Sequence, residues 1–393
     1  MSSTLFKQVL SLGLLSAVSA LPDNVFRFTP ENIADISSLN AFTSANATNA
    51  QFQVYDDAFL TILGNTPTMS LILNSTNATF TQFHEAAALV SSNPPVLFVT
   101  SNQYNFTGIN SPDTSNKTIV ISRVSQNNAT GQWTAEVINT TGTAVHLANG
   151  ATVGNDGNLI YCAQGDLKNG GALLTISPTA PFKTTNLLNS YLGTPFNSPN
   201  DVVQTTDGAL WFTDPQFGFA QNIRSAPQLP AQVYRWVPGT TDIRVVAQNI
   251  VAPNGIAFSP DEKTAYITDT NSSLPFATQN IYAYDVTNST STPILANKRT
   301  FAMPSNGIPD GVKVDAAGNV YSGCGDGINV WNAQGKLLGK MIVSGGSSNF
   351  ALGANGQVFI LNETKLWLAT LGGLKTISRT AAQAYGVGGS VRH

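Results

Sequence analysis

The amino-acid sequence predicts an all-β protein, a six-bladed β-propeller with four antiparallel strands per blade. Three observations carry this. Short apolar runs lie between Gly, Pro and Asn clusters with almost no helical periodicity, a hairpin pattern recurs six times, and a polar residue opens each repeat.

The runs come first. VLFVT after Pro95, LWFTD after Ala209 and AYITD after Thr264 are rich in β-branched and aromatic residues, which pack well on a pleated surface.

The repeat comes next. HEAAALVSSNPPVLFVTSN from His84, ANGATVGNDGNLIYCAQGD from Ala148 and PNDVVQTTDGALWFTDPQF from Pro199 align without a gap. PNGIAFSPDEKTAYITDTN from Pro253, PDGVKVDAAGNVYSGCGDG from Pro309 and SNFALGANGQVFILNETKL from Ser348 join them. Between these hairpins lie further strand pairs, among them VYRWVPGTTDIRVVA after Gln232 and INVWNAQGKLLGKMIV after Gly327, so each unit holds four strands. The last unit, KLWLATL from Lys365, stops after its third strand, and TMSLILN from Thr68 is expected to supply the fourth and close the ring.

The propeller is assigned to residues 66–381, preceded by an extension over 21–65 and followed by a tail over 382–393. Residues 1–20 read as a secretory signal peptide, with one lysine ahead of an apolar run and Val18-Ser19-Ala20 as the cleavage pattern. A secreted, extracellular protein is expected. Acceptor sequons at Asn46, Asn74, Asn77, Asn105, Asn116, Asn128, Asn139, Asn271, Asn288 and Asn362 agree with glycosylation on solvated loops.

Composition excludes several partners. A net charge of -3 with only 10% charged residues offers no basic face for nucleic acid, and no stretch after the leader reaches membrane-spanning length. Nothing in the sequence bears on oligomeric state. Two cysteines, Cys162 and Cys324, fall near the ends of the innermost strands of the second and fifth repeats, opposite each other in a six-membered ring. A bridge needs Cα atoms within about 7 Å, so two buried free thiols are expected, although secretion favours pairing.

The polar position of the six repeats is Glu85, Asn149, Asn200, Asn254, Asp310 and Asn349. Asn-Gly, Asn-Asp and Asp-Gly are also ordinary turn dipeptides. A turn role explains neither Glu85 nor six polar side chains aimed into one closed channel, where burial demands partners. All six carry oxygen ligands, and two carboxylates with neutral amides suit calcium, a hard ion that takes six to eight oxygens.

Zinc fits less well. His84-Glu85 begins like an HExxH helix, but Ala88 stands where the second histidine belongs, and the only other histidines are His146 and His393. No G-x-S-x-G elbow is present. Gly323-Cys324-Gly325-Asp326-Gly327 precedes a strand rather than a helix and is no dinucleotide loop.

Glu85, NDV at Asn200 with its LWFTDPQFG continuation, PNGIAFSPD at Asn254 and PDGVKVDAAGNVY at Asp310 resemble the gluconolactonase and senescence-marker-protein (regucalcin) family of six-bladed lactonases. FHEA at Phe83, LNSYLGTPFNSPNDV and YSGCGDGINVWNAQGKLLGK are similar to secreted fungal lactonohydrolases, which open aldonate lactones and related compounds such as pantolactone. The resemblance implies Glu85, Asn200, Asn254 and Asp310 as metal ligands, a small lactone as substrate, and Asn200-Asp201 as a channel pair. Asn149, Asn200 and Asn349 are the amides expected to face the substrate.

In the implied mechanism the cation polarises the lactone carbonyl and water attacks it. Asp310, His84 and Asp201 are the candidates for proton transfer. One departure stands out, because the family's Glu-Gly-Pro opening is Glu85-Ala86-Ala87 here. Two other readings stay open: a propeller that binds glycans or proteins around a structural ion, and a promiscuous esterase of the paraoxonase kind.

Overall fold

The computed structural model describes residues 21–29, 51–77, 79–105, 117–272, 279–287 and 292–377. The leader, the sequons at Asn46, Asn116 and Asn288, His393 and the 382–393 tail lie outside them.

Six antiparallel sheets follow one another along the chain as the blades of a propeller, numbered here in chain order. Blade one comprises Glu85–Val90, Val96–Thr100, Ile121–Gln126 and Trp133–Val137. Blade two comprises Ala148–Val153, Leu159–Ala163, Ala172–Ile176 and Lys183–Leu188, with the short strand Thr141–Gly142 on its outer edge. Blade three runs Val202–Gln204, Leu210–Asp214, Gln232–Trp236 and Ile243–Ala247. Blade four runs Pro253–Phe258, Thr264–Asp269, Ile281–Thr287 and Ile294–Ala302.

Blade five holds Val312–Val314, Val320–Cys324, Gly327–Trp331 and Leu337–Ile342. Blade six holds Phe350–Leu352, Gln357–Asn362 and Lys365–Thr370, and its outermost strand is Thr68–Asn74, paired antiparallel to Lys365–Thr370. The ring is therefore closed by an early strand, as the truncated last repeat requires. In each blade the first strand is innermost, and all six begin at one face, called the mouth below.

The described parts of the 21–65 extension, residues 21–29 and 51–65, join the propeller's body. Phe52–Val54 pairs with Leu337–Ile342 and Val25–Arg27 pairs with Phe52–Val54, which widens blade five to six strands. A helix follows at Asp57–Leu63, started by the Asp56 carboxylate accepting from Ala58 N at 2.9 Å. It buries Phe59, Ile62 and Leu63 against Val330, Met341 and Leu371 between blades five and six. Burying one such side chain stabilises the fold by about 1.5–3 kcal/mol, so the extension holds these two blades together.

The gapless alignment of the repeats needs correction. The closing pairs of the hairpins are Val90↔Val96, Val153↔Leu159, Gln204↔Leu210, Phe258↔Ala265, Val314↔Val320 and Leu352↔Val358. Four residues before the first member of each pair stand Ala86, Asn149, Asn200, Asn254, Asp310 and Ser348. Only Asn149, Asn200, Asn254 and Asp310 share a register. Glu85 lies one residue early and Asn349 one residue late.

Cys162 and Cys324 are free and buried, but both sit on the second strands of their blades rather than the innermost ones. Asn362 is buried and donates to Gly346 O at 2.8 Å, and Asn271 is also buried, so neither has room for a glycan. Asn74, Asn77, Asn128 and Asn139 are exposed. Among the described residues no helix is long and apolar enough to cross a membrane.

Candidate active site

The channel residues are delivered by a repeated irregularity. Ladder registers shift between Glu85 and Ala88, between Ala148 and Ala151, and between Pro253 and Ile256, so the innermost strands of blades one, two and four bulge at the polar position and re-aim it. No turn is involved. The glycine that follows has a packing reason: a Cβ on Gly150 would meet Asn200 O at 2.3 Å, and one on Gly255 would meet Asp310 O at 2.6 Å. The innermost strands of blades two and four thus press against the backbones of those of blades three and five.

Threonines lock this arrangement from the preceding blade. Thr100 Oγ1 donates to Asn149 O at 3.2 Å, Thr213 Oγ1 to Asn254 O at 2.6 Å, and Thr268 Oγ1 to Asp310 O at 2.8 Å. The three come from the recurring FVT, WFT and YIT strand ends.

Glu85 reaches the site although its register is one residue off. The bulge passes through Ala86 at φ 72° and Ala87 at φ 53°, the left-handed region that glycine occupies without penalty. Asn349 Nδ2 donates to Glu85 Oε2 at 2.8 Å, and Asn349 Oδ1 accepts from Phe350 N at 2.9 Å. Asp201 Oδ1 accepts from Val202 N at 2.9 Å in the same way, so Asn349 is the counterpart of Asp201 and not of Asn200. Its amide is engaged at both ends, donating to Glu85 and accepting from Phe350 N.

The side chains of Glu85, Asn200, Asp201, Asn254 and Asn349 are buried. Burial raises Glu85 above the usual carboxylate range, with the Asp201 charge adding to it against His84 and Asn349. Burial likewise raises Asp310, and the Glu85 charge adds to it. Burial raises Asp201 as well, partly offset by Lys313 and by two backbone N–H groups. Three carboxyls therefore resist ionising together in this channel.

His84 stands beside them. Its Nδ1 lies 2.6 Å from Glu363 Oε1, and Thr81 Oγ1 donates to Glu363 Oε2 at 2.6 Å. Burial would lower the imidazole, but the Glu363 hydrogen bond and the charges of Glu363, Glu85 and Asp310 outweigh it and hold it up at about 9. Glu363, in the turn between the second and third strands of blade six, is a site residue that sequence reasoning missed. In the chain it reads as the middle of the Asn362-Glu363-Thr364 sequon.

The donor set fits a hard cation. Asn149 Oδ1, Asn200 Oδ1 and Asp310 Oδ1 are buried and accept no hydrogen bond from the protein. Each such oxygen costs about 1–3 kcal/mol if left without a partner, and a cation satisfies several at once. Among the described residues no three His, Cys, Asp or Glu side chains converge as a metal cluster, so an ion here would rest on amide oxygens as much as on carboxylates. Such a set favours calcium or magnesium over zinc.

Comparison with known proteins adds the family. Residues 113–360 match the sequence profile described as the SMP-30/Gluconolactonase/LRE-like region. The chain is 35% identical over 184 residues to lactonohydrolase oryL of Aspergillus oryzae, an alignment covering 42% of each chain. It is 30% identical over 225 residues to the gluconolactonase of Zymomonas mobilis, covering 55% of this chain and 60% of the relative. The chain thus spans about half the length of these curated relatives. A solved structure of a gluconolactonase from Xanthomonas campestris superposes with a TM-score of 0.64 at 27% identity, over 82% of this chain and 95% of that one. With 248 residues under the profile, a closed six-bladed ring and this channel, the chain belongs to the SMP-30/gluconolactonase/LRE-like family.

Proposed function

We propose that the chain hydrolyses the ring ester of small lactones at the channel mouth, with a calcium ion held by Glu85, Asn200, Asn254 and Asp310. The observation that carries this is the convergence of buried, unpartnered side-chain oxygens from blades two, three and five beside two buried carboxyls. The names of the relatives, lactonohydrolase and gluconolactonase, support the same chemistry.

When bound, the ion would supply Lewis acidity toward the lactone carbonyl and balance the clustered carboxylates. The chain's own groups do the rest. Asn149 presents an amide oxygen at the mouth that can orient a substrate hydroxyl. Water adds to the carbonyl carbon, the ring C–O bond breaks, and the departing oxygen takes a proton to leave a hydroxy acid. His84, gripped at Nδ1 by Glu363, is the group that exchanges this proton, through Nε2. Asp310 acts as ligand, and Asp201 is tied to Val202 N and Ile256 N, which makes it a weaker candidate for the base.

Secretion belongs to the same reading. The leader-like residues 1–20 and the exposed sequons at Asn74, Asn77, Asn128 and Asn139 support it. A panel of aldonate lactones, pantolactone, simple γ- and δ-lactones and aryl esters, followed by pH-stat titration, tests the substrate class. Lactones should be opened and aryl esters hydrolysed slowly or not at all. Hydrolysis of no lactone would count against the reading, and faster turnover of aryl esters would favour the esterase.

A further inference from the structure

Lys313 lies on the innermost strand of blade five, half-buried, with Nζ 3.9 Å from Asp201 Oδ2. Asp201 belongs to blade three, so this contact bypasses blade four and runs through the channel. The same ammonium acts electrostatically on Glu85 of blade one. One positive charge therefore stands in the channel beside Asp201 and acts on Glu85.

At 3.9 Å the Lys313–Asp201 contact is a charge pair rather than a hydrogen bond. Asp201 already accepts from Val202 N at 2.9 Å and Ile256 N at 3.3 Å. Its geometry is held by those two N–H groups and does not depend on the lysine. His84 brings a further ionisable group to the mouth and is matched by Glu363 at 2.6 Å. Counted as formal charges, the three carboxylates Glu85, Asp201 and Asp310 less the one lysine leave two negative charges in the channel, the charge a divalent cation cancels.

We propose that Lys313 tunes the ion selectivity of the channel by opposing the charge of Asp201, which lowers the affinity for a trivalent relative to a divalent cation. The inference rests on the cation site proposed above. Without the ammonium, three negative charges face the ion in a low-dielectric enclosure, and the attraction grows with ionic charge. A lysine that merely fills space or steadies the fold would leave the preference between ions unchanged.

The test is a calorimetric titration of the chelator-stripped full chain with calcium chloride and with terbium chloride, compared between wild type, Lys313→Met and Lys313→Arg. The terbium-to-calcium affinity ratio should rise about tenfold or more in Lys313→Met, as expected for one added unit of charge contrast at short range, and stay at the wild-type value in Lys313→Arg. An unchanged ratio in a folded Lys313→Met overturns the proposal. If Lys313→Met does not fold, Asp201→Asn decides: its ratio should fall below wild type, and a ratio that does not fall overturns the proposal. Binding of neither ion to the wild-type chain would remove the cation site itself, and this inference with it.

Discussion

Asn349 Nδ2 donates to Glu85 Oε2 at 2.8 Å, a bond that joins the last innermost strand of the propeller to the first, 264 residues apart. It places Glu85 in the channel at the seam where the ring closes. Asn349→Ala removes the donor and leaves a buried carboxyl short of a partner, a loss of about 1–3 kcal/mol in stability. Activity should fall less than in Glu85→Ala or Asp310→Ala, which remove a ligand outright. Thermal melts and kcat/KM for the three variants check the order.

Ala86 occupies φ 72°, the left-handed region that glycine tolerates without penalty. Relief of left-handed strain should make Ala86→Gly more stable by about 1 kcal/mol while the activity stays close to wild type. Denaturant unfolding measures it. A destabilised variant would show that the Ala86 methyl, fully buried, contributes more by packing than its backbone costs.

Gly255→Ala would bring a methyl to 2.6 Å from Asp310 O, and the innermost strands of blades four and five would have to part. The expected cost is about 1–3 kcal/mol, with weaker cation binding because Asn254 and Asp310 both shift. Gly208→Ala, in a hairpin turn on the opposite face with nothing within 4 Å, should leave cation affinity unchanged. Calorimetric calcium titration separates the two.

Asp214 is pushed up to about 7 by burial, against hydrogen bonds from Asn197 N at 3.0 Å and Ser198 N at 2.8 Å. The folded chain therefore binds this proton at higher pH than the unfolded chain. The stability linked to it is present near pH 4 and is lost as pH rises through about 7. The melting-temperature advantage of wild type over Asp214→Asn should shrink between pH 4 and 7 and level off above. A gap that does not change with pH would show that Asp214 ionises normally.

Much of this was legible in the chain. The FVT, WFT and YIT strand ends, the turn residues between hairpins and the truncated last repeat define the blades and the closing strand at Thr68–Asn74. Asn149, Asn200, Asn254 and Asp310 fall in register because the hairpins that follow them have nearly equal length. The offsets of Glu85 and Asn349 were hidden, since a bulge built from two alanines at positive φ has no sequence signature. Glu363 was hidden because its partner His84 lies 279 residues away. The short strands Val25–Arg27 and Phe52–Val54 carry too little pattern to announce that they widen blade five.

The dependence of lactone hydrolysis on free calcium tests the central claim most directly. Chelator-stripped protein is assayed while calcium is restored stepwise, with Asp310→Asn in parallel. Wild type should be inactive without the ion and recover along a saturable curve, and Asp310→Asn, which removes one ligand charge, should need much more calcium to reach any rate. Full hydrolysis by the ion-free wild-type chain would contradict it.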